Sequence, residues 1–362
     1  MGMKKNRNGP NRMMLTLHQV RAAKVARGVL ALALLGLSTA AVVAPQTPAA
    51  RLRSLTVPPG ADSAIIQQAL DSLPASGGEV VLPPGVFEIR QPLVLRHDHQ
   101  SLRGSGDTTV LHLADGANCP VIILGEPVNH PRTTLTHLYV GHLFIDGNRQ
   151  HQPHELWRRR GEGSEIRNNG ITVQNVSDSL VEQVTCARCR SGGLVTTRNV
   201  RRLTVQDYTA FDNQFDGLAC YQTEDCLFTG LRLHHHPGAG ISLDLAFNHN
   251  VVSNAVLTAN DLGIFMRESR DNRFYNIAIR YSRHYGVFMA HAEKPTGRGW
   301  RPIPRTECIH NAFTNLIASN CGSAAFRVND STCTNNVIAA AQFHDNARGN
   351  LSLARPNLVT IR

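Results

Sequence analysis

Polar side chains recur at one position of a repeat in the middle of the chain. Tyr221, Asp244 and Arg267 follow one another at intervals of 23 residues, and each is the fourth residue after a glycine. If the segments after these glycines are stacked parallel strands, the three side chains form a column with about 4.8 Å between neighbours. A phenol, a carboxylate and a guanidinium in one column predict acid–base chemistry on an acidic substrate.

The next position of the repeat extends this set with Arg198, Glu268 and His291. Together the residues fit β-elimination or epimerisation of a uronate. In both reactions a base removes the C5 proton, and an acid protonates the leaving oxygen or the opposite face of the sugar. We predict Tyr221 and His291 as the acid and the base.

The sugar carboxylate also needs a cation, because negative charge builds up on it in the enolate-like transition state. Arg267 or Arg198 would supply the cation, and Asp244 or Glu268 would orient the acid and base. Two alternatives stay open. Asp244 and Glu268 could be the carboxylate pair of a glycoside hydrolase, which requires a separation of about 5–9.5 Å. The whole set could also be a solvated ladder of alternating charge.

Two insertions border the predicted column, residues 150–169 before one strand and residues 292–307 after another. Each contains a tryptophan, which can stack on a sugar ring, and several arginines, which can bind an acidic chain. Insertions in repeat proteins commonly lie on the binding face. The insertions therefore predict a groove. The predicted substrate contacts are Trp157, Arg158, Trp300 and Arg301.

The elements that position these residues repeat every 23 or 24 residues. Six segments begin with a glycine and continue with mostly apolar residues at the first and third positions, the alternation of a strand with one buried face. These glycines are Gly170, Gly193, Gly217, Gly240, Gly263 and Gly286. Such a unit cannot bury its own apolar face, but stacked units share a core. The period predicts an all-β fold, a single-domain right-handed parallel β-helix over residues 51–362.

A short helix is predicted ahead of the first strands. Asp62 and Ser63 are good N-cap residues for the amphipathic segment 64–74. This helix would cover an otherwise open strand edge.

Residues 1–50 predict a signal peptide. They hold seven of the 37 lysines and arginines and no acidic residue, so the formal charge of +10 falls to about +3 without them. The basic stretch leads into an apolar run over residues 29–44, followed by small residues and prolines. This run is shorter than the roughly 20 residues of a membrane-spanning helix. We predict export to the periplasm or cell exterior, with no stable membrane span in the mature form.

Several motifs resemble the pectate lyase-like β-helix superfamily. They are residues 64–73, GGEVVLPPGVFEI (77–89), SLRGSGDTT (101–109) and IDGNR (145–149). The layout from Asp146 to about Glu268, including FDNQFDG (211–217), most resembles the calcium-dependent alginate C5-epimerases. The resemblance implies an exported, polysaccharide-associated protein with Ca²⁺ as a candidate cofactor.

The chain departs from these families at their catalytic positions. VTTR (195–198) replaces the Asp-Pro-His-Glu stretch of the epimerases, and Ala239 replaces their later histidine. The paired aspartates and the Gly-His-Gly motif of polygalacturonases are also missing from the sequence. The resemblance therefore leaves the reaction open.

Cysteines and histidines give one further prediction. Cys308 and Cys333 each lie three residues before an asparagine that opens the same apolar run in adjacent coils, Asn311 or Asn336. Stacked positions about 5 Å apart suit a disulfide, so we predict one between these cysteines. Residues 234–236 are three consecutive histidines, but neighbouring residues of a strand cannot all face one ion, so no metal site is predicted.

The leading hypothesis is an exported lyase or epimerase that acts on a uronate-containing glycan. The alternatives are a non-catalytic glycan-binding or surface-structural β-helix protein and a glycoside hydrolase. Arginines concentrated in the two insertions favour an acidic polysaccharide or oligosaccharide, and not nucleic acid, as the partner. We expect a monomer.

Overall fold

The computed structural model describes residues 53–156, 166–291 and 307–362. The predicted signal peptide lies outside this part of the chain. One described α-helix, α1 (Ser63–Asp71), follows a first short strand at residues 53–56 and precedes all the other strands. The Asp62 side chain caps it by accepting hydrogen bonds from the amides of Ala64 and Ile65, as predicted. None of the described helices is long and apolar enough to span a membrane.

The strands follow in coils, each coil being one turn of the solenoid. The N-terminal coils contain β1 (Arg53–Thr56), β2 (Gly78–Val81), β3 (Gly85–Ile89), β4 (Leu93–Leu95), β5 (Gln100–Arg103), β6 (Thr109–Leu113), β7 (Ile122–Leu124), β8 (Leu135–Thr136) and β9 (Tyr139–Asp146). A 3₁₀ helix (Arg149–His151) follows β9.

The middle coils contain the strands of the predicted repeat. They are β10 (Ile171–Gln174), β11 (Val176–Ser177), β12 (Leu180–Ala187), β13 (Leu194–Thr197), β14 (Val200–Arg201), β15 (Thr204–Gln206), β16 (Thr209–Phe211), β17 (Leu218–Glu224), β18 (Leu227–His234), β19 (Ala239–Asn248), β20 (Val251–Thr258), β21 (Leu262–Arg267), β22 (Ser269–Arg270) and β23 (Arg273–Arg280). The C-terminal coils contain β24 (Val287–Ala290), β25 (Ala312–Ser319), β26 (Phe326–Val328), β27 (Asn336–Ala339), β28 (Gln342–His344), β29 (Leu351–Leu353) and β30 (Val359–Ile361).

The described strands form two parallel sheets that face each other across one core. Sheet A runs in the order β1-β2-β5-β9-β12-β15-β18-β20-β23-β25-β27-β30, with β3, β6, β16 and β28 beside this path. Sheet B runs β29-β26-β24-β21-β19-β17-β13-β10-β7-β4, with β8, β11, β14 and β22 beside it. Two stacked parallel sheets closed by short corners confirm the predicted right-handed parallel β-helix.

The register of sheet B matches the predicted repeat residue for residue. The first positions pair in the order Ile171, Leu194, Leu218, Ile241, Ile264, Val287 and Phe326. All seven are completely buried. The glycine before each strand is required by close packing, because a Cβ on Gly193 would lie 2.5 Å from the carbonyl oxygen of Gly217 in the next coil.

Corners in the left-handed backbone region separate the sheets. One column of them closes the coil after sheet A and includes His235 (φ 61°). A further column of left-handed residues lies within sheet B, between its main strands and the two-residue strands that follow, and includes Arg198 (φ 59°) and Glu268 (φ 51°). At the corner that leads from sheet B into sheet A, Asn272 and Asn311 belong to a buried ladder in which each side-chain amide donates to the asparagine of the next coil. These left-handed residues determine on which side of the backbone the neighbouring side chains lie.

Candidate functional site

The predicted column of Tyr221, Asp244 and Arg267 is present on the outer face of sheet B. Tyr221 and Asp244 are direct partners in the register, and Arg267 follows in the next coil. The Arg267 Nε donates to both Asp244 carboxylate oxygens at 3.0 Å, and its Nη2 donates to Oδ2. Asp244 is only 5% exposed. This two-point ion pair holds both side chains in one orientation.

The Tyr221 phenol stays protonated across the physiological range. Burial raises the pKa of Tyr221 well above its usual range, and the nearby negative charges of Asp216 and Asp244 raise it further, against the opposing charge of Arg167. A phenol that keeps its proton can donate it to an oxygen or carbon of a substrate. The structure therefore suits Tyr221 as the acid of the predicted pair.

Glu268 is a buried acid beside the carboxylate of Asp244. It lies at the corner after β21 and is 1% exposed, next to Asp244 and the Leu245 backbone. Burial, followed by the negative charge of Asp244, raises the pKa of Glu268 to about 7, although the charge of Arg267 opposes this. A carboxyl that titrates near neutral pH can accept and return a proton at working pH.

Asp216 belongs to the same site and was missed by the sequence analysis. Its Oδ1 accepts a hydrogen bond of 2.7 Å from the Ala239 amide, and burial raises the pKa of Asp216 to about 6, against the charge of Arg167. Asp216 directly precedes Gly217, whereas the residues of the predicted column all follow a coil-starting glycine. The signal available was an acid beside a coil-starting glycine, next to the tyrosine column.

Arg198 and His291 lie on the two margins of the column. Arg198 is at the corner one coil before Tyr221, and burial lowers the pKa of its guanidinium. His291 lies three coils beyond Tyr221, about 14 Å away at the spacing of stacked strands. Its Nδ1 is 3.4 Å from the Asp330 carboxylate and 3.2 Å from the Thr332 hydroxyl. The structure therefore does not bring His291 together with Tyr221.

The first insertion contributes a cation through its described end. Residues 166–169 lead into β10, and Arg167 is close enough for its charge to act on both Asp216 and Tyr221. The four predicted substrate contacts, Trp157, Arg158, Trp300 and Arg301, lie outside the described residues.

The floor beside the column consists of small side chains that point outward but are buried. They are Thr172, Val195, Ala219 and Ser242, none more than 8% exposed. Two stacked rings follow in the next coils, with the centroids of Phe265 and Phe288 6.0 Å apart, and the Arg267 guanidinium lies 5.8 Å from the Phe265 ring centroid. The ionisable groups of the column therefore lie on a sheltered face, where charges interact more strongly than in water.

Cys308 and Cys333 are in contact in adjacent coils, as expected, but as free thiols. The Cys308 amide donates to the Cys333 Sγ at 3.4 Å. Burial raises the pKa of Cys308 well above its usual range, and a hydrogen bond from Cys308 lowers the pKa of Cys333. The disulfide stays a prediction.

No group of three or more histidine, cysteine, aspartate or glutamate side chains in the described part of the chain could hold a metal ion. Calcium stays an expectation from resemblance.

Comparison of the sequence with known protein families adds to these observations. The model of a family described as "Periplasmic copper-binding protein (NosD)" matches residues 108–296, more than half of the chain. No curated protein matches the sequence significantly.

Solved structures share the β-helix at low sequence identity. The mannuronan C-5 epimerase AlgE4 A-module of Azotobacter vinelandii is 16% identical, with 84% of this chain and 97% of that chain covered and a TM-score of 0.55. The alginate lyase of Paenibacillus sp. str. FPU-7 is 11% identical, with 85% and 99% covered and a TM-score of 0.58. ORF18 of Geobacillus virus E2 is 13% identical over 83% of this chain and only 58% of the viral protein, with a TM-score of 0.59. The likeness to these structures shows the same β-helix fold and does not by itself specify a reaction.

Proposed function

Because the chain belongs to the NosD family, we propose that it is an exported β-helix protein that modifies a uronate-containing glycan, as a lyase or an epimerase. The family description names the periplasm, which supports the export predicted from residues 1–50. The alginate epimerase and alginate lyase among the structural neighbours support a uronate as the substrate class.

The observation that carries this proposal is a pair of acids with raised pKa values beside strands of sheet B, Asp216 before β17 and Glu268 after β21. Glu268 has a pKa of about 7 and Asp216 one of about 6, each raised chiefly by burial. Asp216 lies near Tyr221, because its charge raises the pKa of Tyr221. Glu268 lies near Asp244, because the charge of Asp244 raises the pKa of Glu268. Neighbouring groups held in different protonation states are the arrangement that acid–base catalysis needs.

In the proposed reaction Glu268 removes the C5 proton and Tyr221 donates one. Glu268 is the better candidate for the base because its pKa lies nearer neutral pH than that of Asp216, whose carboxylate accepts a hydrogen bond from a backbone amide. Glu268 and Tyr221 are two coils apart, about 10 Å, which leaves room for one sugar ring and a hydrogen bond on each side. Tyr221 would protonate the leaving oxygen in a lyase or the opposite face of C5 in an epimerase.

Arg267 binds the sugar carboxylate in this scheme. The guanidinium has five N–H donors, and Asp244 occupies the edge formed by Nε and Nη2. The Nη1 edge is the one that can face a substrate. The ion pair with Asp244 fixes this orientation, so the positive charge is in place when negative charge builds up on the substrate.

Copper and calcium have no part in this scheme. The family description names copper, but the described residues provide no set of three ligands for either ion. No step is therefore routed through a metal.

The hydrolase alternative is less well supported. It requires Asp244 as one of two working carboxylates, yet both oxygens of Asp244 accept hydrogen bonds from Arg267. A non-catalytic glycan-binding protein is the remaining alternative. It would retain binding without changing the polymer.

The test is incubation with alginate, pectate and glycosaminoglycans. Ultraviolet absorbance of the unsaturated product detects a lyase, and NMR of the intact polymer detects an epimerase. We expect one of these signals from the native protein and its loss in Glu268→Gln and Tyr221→Phe. Thr258→Ala, on the outer face of sheet A, is the control and should be active. Binding without either signal would favour the non-catalytic alternative.

A further inference from the structure

A second arginine lies on the outer face of sheet B, beyond Arg267. In the register of the sheet Phe265 pairs with Phe288, and Phe288 pairs with Arg327, so these residues form one outward row across β21, β24 and β26. All three are partly exposed, whereas Val287, next to Phe288, is completely buried. The row continues the floor of small side chains beside the column, because the last of these pairs directly with Phe265.

Arg327 is held in place by neutral groups. Its Nη1 donates to the Ser352 Oγ at 2.6 Å, and its Nη2 donates to the Asn329 Oδ1 at 3.1 Å. Neither partner carries a charge, and the Asp330 carboxylate lies instead against His291, at 3.4 Å. A guanidinium has five N–H donors, so Arg327 keeps donors and a positive charge that an acidic ligand can use.

The two arginines are spaced to contact one extended acidic chain. Arg267 in β21 and Arg327 in β26 are two coils apart, which is about 10 Å. The Arg267 guanidinium lies 5.8 Å from the Phe265 ring centroid, so its charge is close to the row that contains Arg327. Each pyranose advances an extended chain by about 5 Å, close to the spacing of one coil. Carboxylates on alternate sugars of a chain along the row would therefore meet the two arginines.

The coil between the arginines presents an apolar surface. Phe288 lies there, with its ring centroid 6.0 Å from that of Phe265 and 5.4 Å from that of Tyr285. The other outward residue of this strand is Ala290. The C–H groups of a sugar ring pack well on aromatic side chains. The described part of this coil thus suits the middle sugar, whose own carboxylate points away from the protein.

We propose that Phe288 and Arg327 form a subsite for a uronate two residues along the chain from the reacting sugar. The inference rests on the proposed function, because Arg267 is taken to bind the carboxylate of the reacting sugar. It adds that the bound chain lies along the solenoid axis and extends from Arg267 toward the C-terminal coils. The ligand class is an extended acidic oligosaccharide of at least three residues.

The subsite makes affinity depend on chain length. A uronate dimer is too short to contact both arginines, whereas a tetramer contacts both at once. A hydrogen bond between ions is stronger than one between neutral groups, so the second contact should tighten binding about tenfold. Tetramers with carboxylates on every sugar or only on alternate sugars should bind alike, since only alternate carboxylates face the arginines.

The test measures binding without turnover, in the Glu268→Gln background. Uronate dimers and tetramers are titrated by calorimetry into this protein and into the same protein with Arg327→Met or Arg232→Met. Arg232 is exposed on the outer face of sheet A, so its replacement removes the same charge from the opposite sheet. Arg327→Met should lose most of the tenfold preference for the tetramer, and Arg232→Met should keep it. Arg327→Lys should retain part of it, because the charge remains and the two-point contact does not.

Equal tetramer preference in Arg327→Met and Arg232→Met would overturn the proposal, as would a tetramer that binds no more tightly than the dimer. A neutral tetramer that binds as tightly as the acidic one would also contradict it, because the arginines would then not contact carboxylates. Failure of the proposed function gives a different result, an intact tetramer preference without turnover by the native protein. Thermal unfolding of each variant checks that it is folded.

Discussion

Two arginine–aspartate pairs bridge adjacent coils of this β-helix with the same hydrogen-bond pattern but in different surroundings. Arg202 and Asp178 form a two-point pair at an exposed corner, with 54% and 35% of their side chains exposed. Arg267 and Asp244 form a two-point pair on sheet B, with 34% and 7% exposed. The repeat produces both, because it stacks equivalent positions.

The comparison separates a structural ladder from a candidate site. The exposed pair is what a solvated charge ladder predicts, and such pairs contribute about 0–1 kcal/mol to stability. The buried pair lies beside Glu268, whose pKa is raised to about 7 chiefly by burial. Burial, and not the presence of charge, therefore distinguishes the part of the repeat that can carry acid–base chemistry.

The largest expected effect is on activity. Glu268→Gln preserves the size of the side chain but cannot accept the C5 proton, so turnover on a uronate polymer should fall about 10²–10⁴-fold. Arg202→Met at the exposed pair should leave turnover unchanged. Initial rates at saturating polymer, with binding measured separately, distinguish lost chemistry from lost affinity. Equal rates in the native protein and Glu268→Gln would remove Glu268 from the reaction.

The next effect is on stability. Arg267→Met leaves the buried Asp244 carboxylate without its counter-charge, which should cost about 3 kcal/mol of unfolding free energy, the lower part of the range for broken buried pairs because Arg267 is partly exposed. Denaturant unfolding of the described β-helix measures the loss. Asp244→Asn in the same background should recover part of it, since it removes the unpaired charge. An unchanged midpoint in Arg267→Met would show that the pair behaves as a surface pair.

The dependence of stability on pH should reveal the raised pKa of Glu268. The pKa in the folded protein, about 7, exceeds the ordinary value of 4.5 expected in the unfolded chain. The contribution of Glu268 to stability is therefore complete below about pH 4.5 and is lost as pH rises through about 7. The native protein should lose stability relative to Glu268→Gln between pH 5 and pH 8. A constant difference across this range would mean that the pKa of Glu268 is not raised in the folded protein.

The smallest effect is expected at the exposed pair. Arg202→Met should change the free energy of unfolding by less than about 1 kcal/mol, and added salt should reduce even that difference. Denaturant unfolding at low and high salt measures it. A loss as large as that of Arg267→Met would mean that burial does not distinguish the two pairs.

The fold was predictable because it depends on repetition. Glycine spacing and apolar alternation determine the pairing of Ile171 with Leu194 and Leu218, and this register is the one observed. The column of Tyr221, Asp244 and Arg267 follows from the same register. These features depend only on local periodicity, which a single sequence displays.

The details of the site depend on corners that periodicity does not describe. Glu268 and His235 each follow a strand and have a left-handed backbone conformation. The side chain of Glu268 is buried at its turn, and the turn at His235 puts its ring beside that of His234. Asp216 precedes its glycine, outside the strand pattern, and Arg167 reaches the site from an insertion with no repeat. His291 pairs with Asp330 because a later coil provides a closer partner than Tyr221. Such contacts join residues that the sequence spacing does not relate.

Exchange at C5 of the sugar tests the central claim most directly, because lyases and epimerases both remove that proton. The native protein, Glu268→Gln and Arg202→Met are each incubated with alginate or pectate in D₂O, and the C5 proton resonance is followed by NMR. We predict loss of that resonance with the native protein and with Arg202→Met, and its retention with Glu268→Gln. Retention of the resonance with the native protein on every uronate polymer would contradict the proposed function.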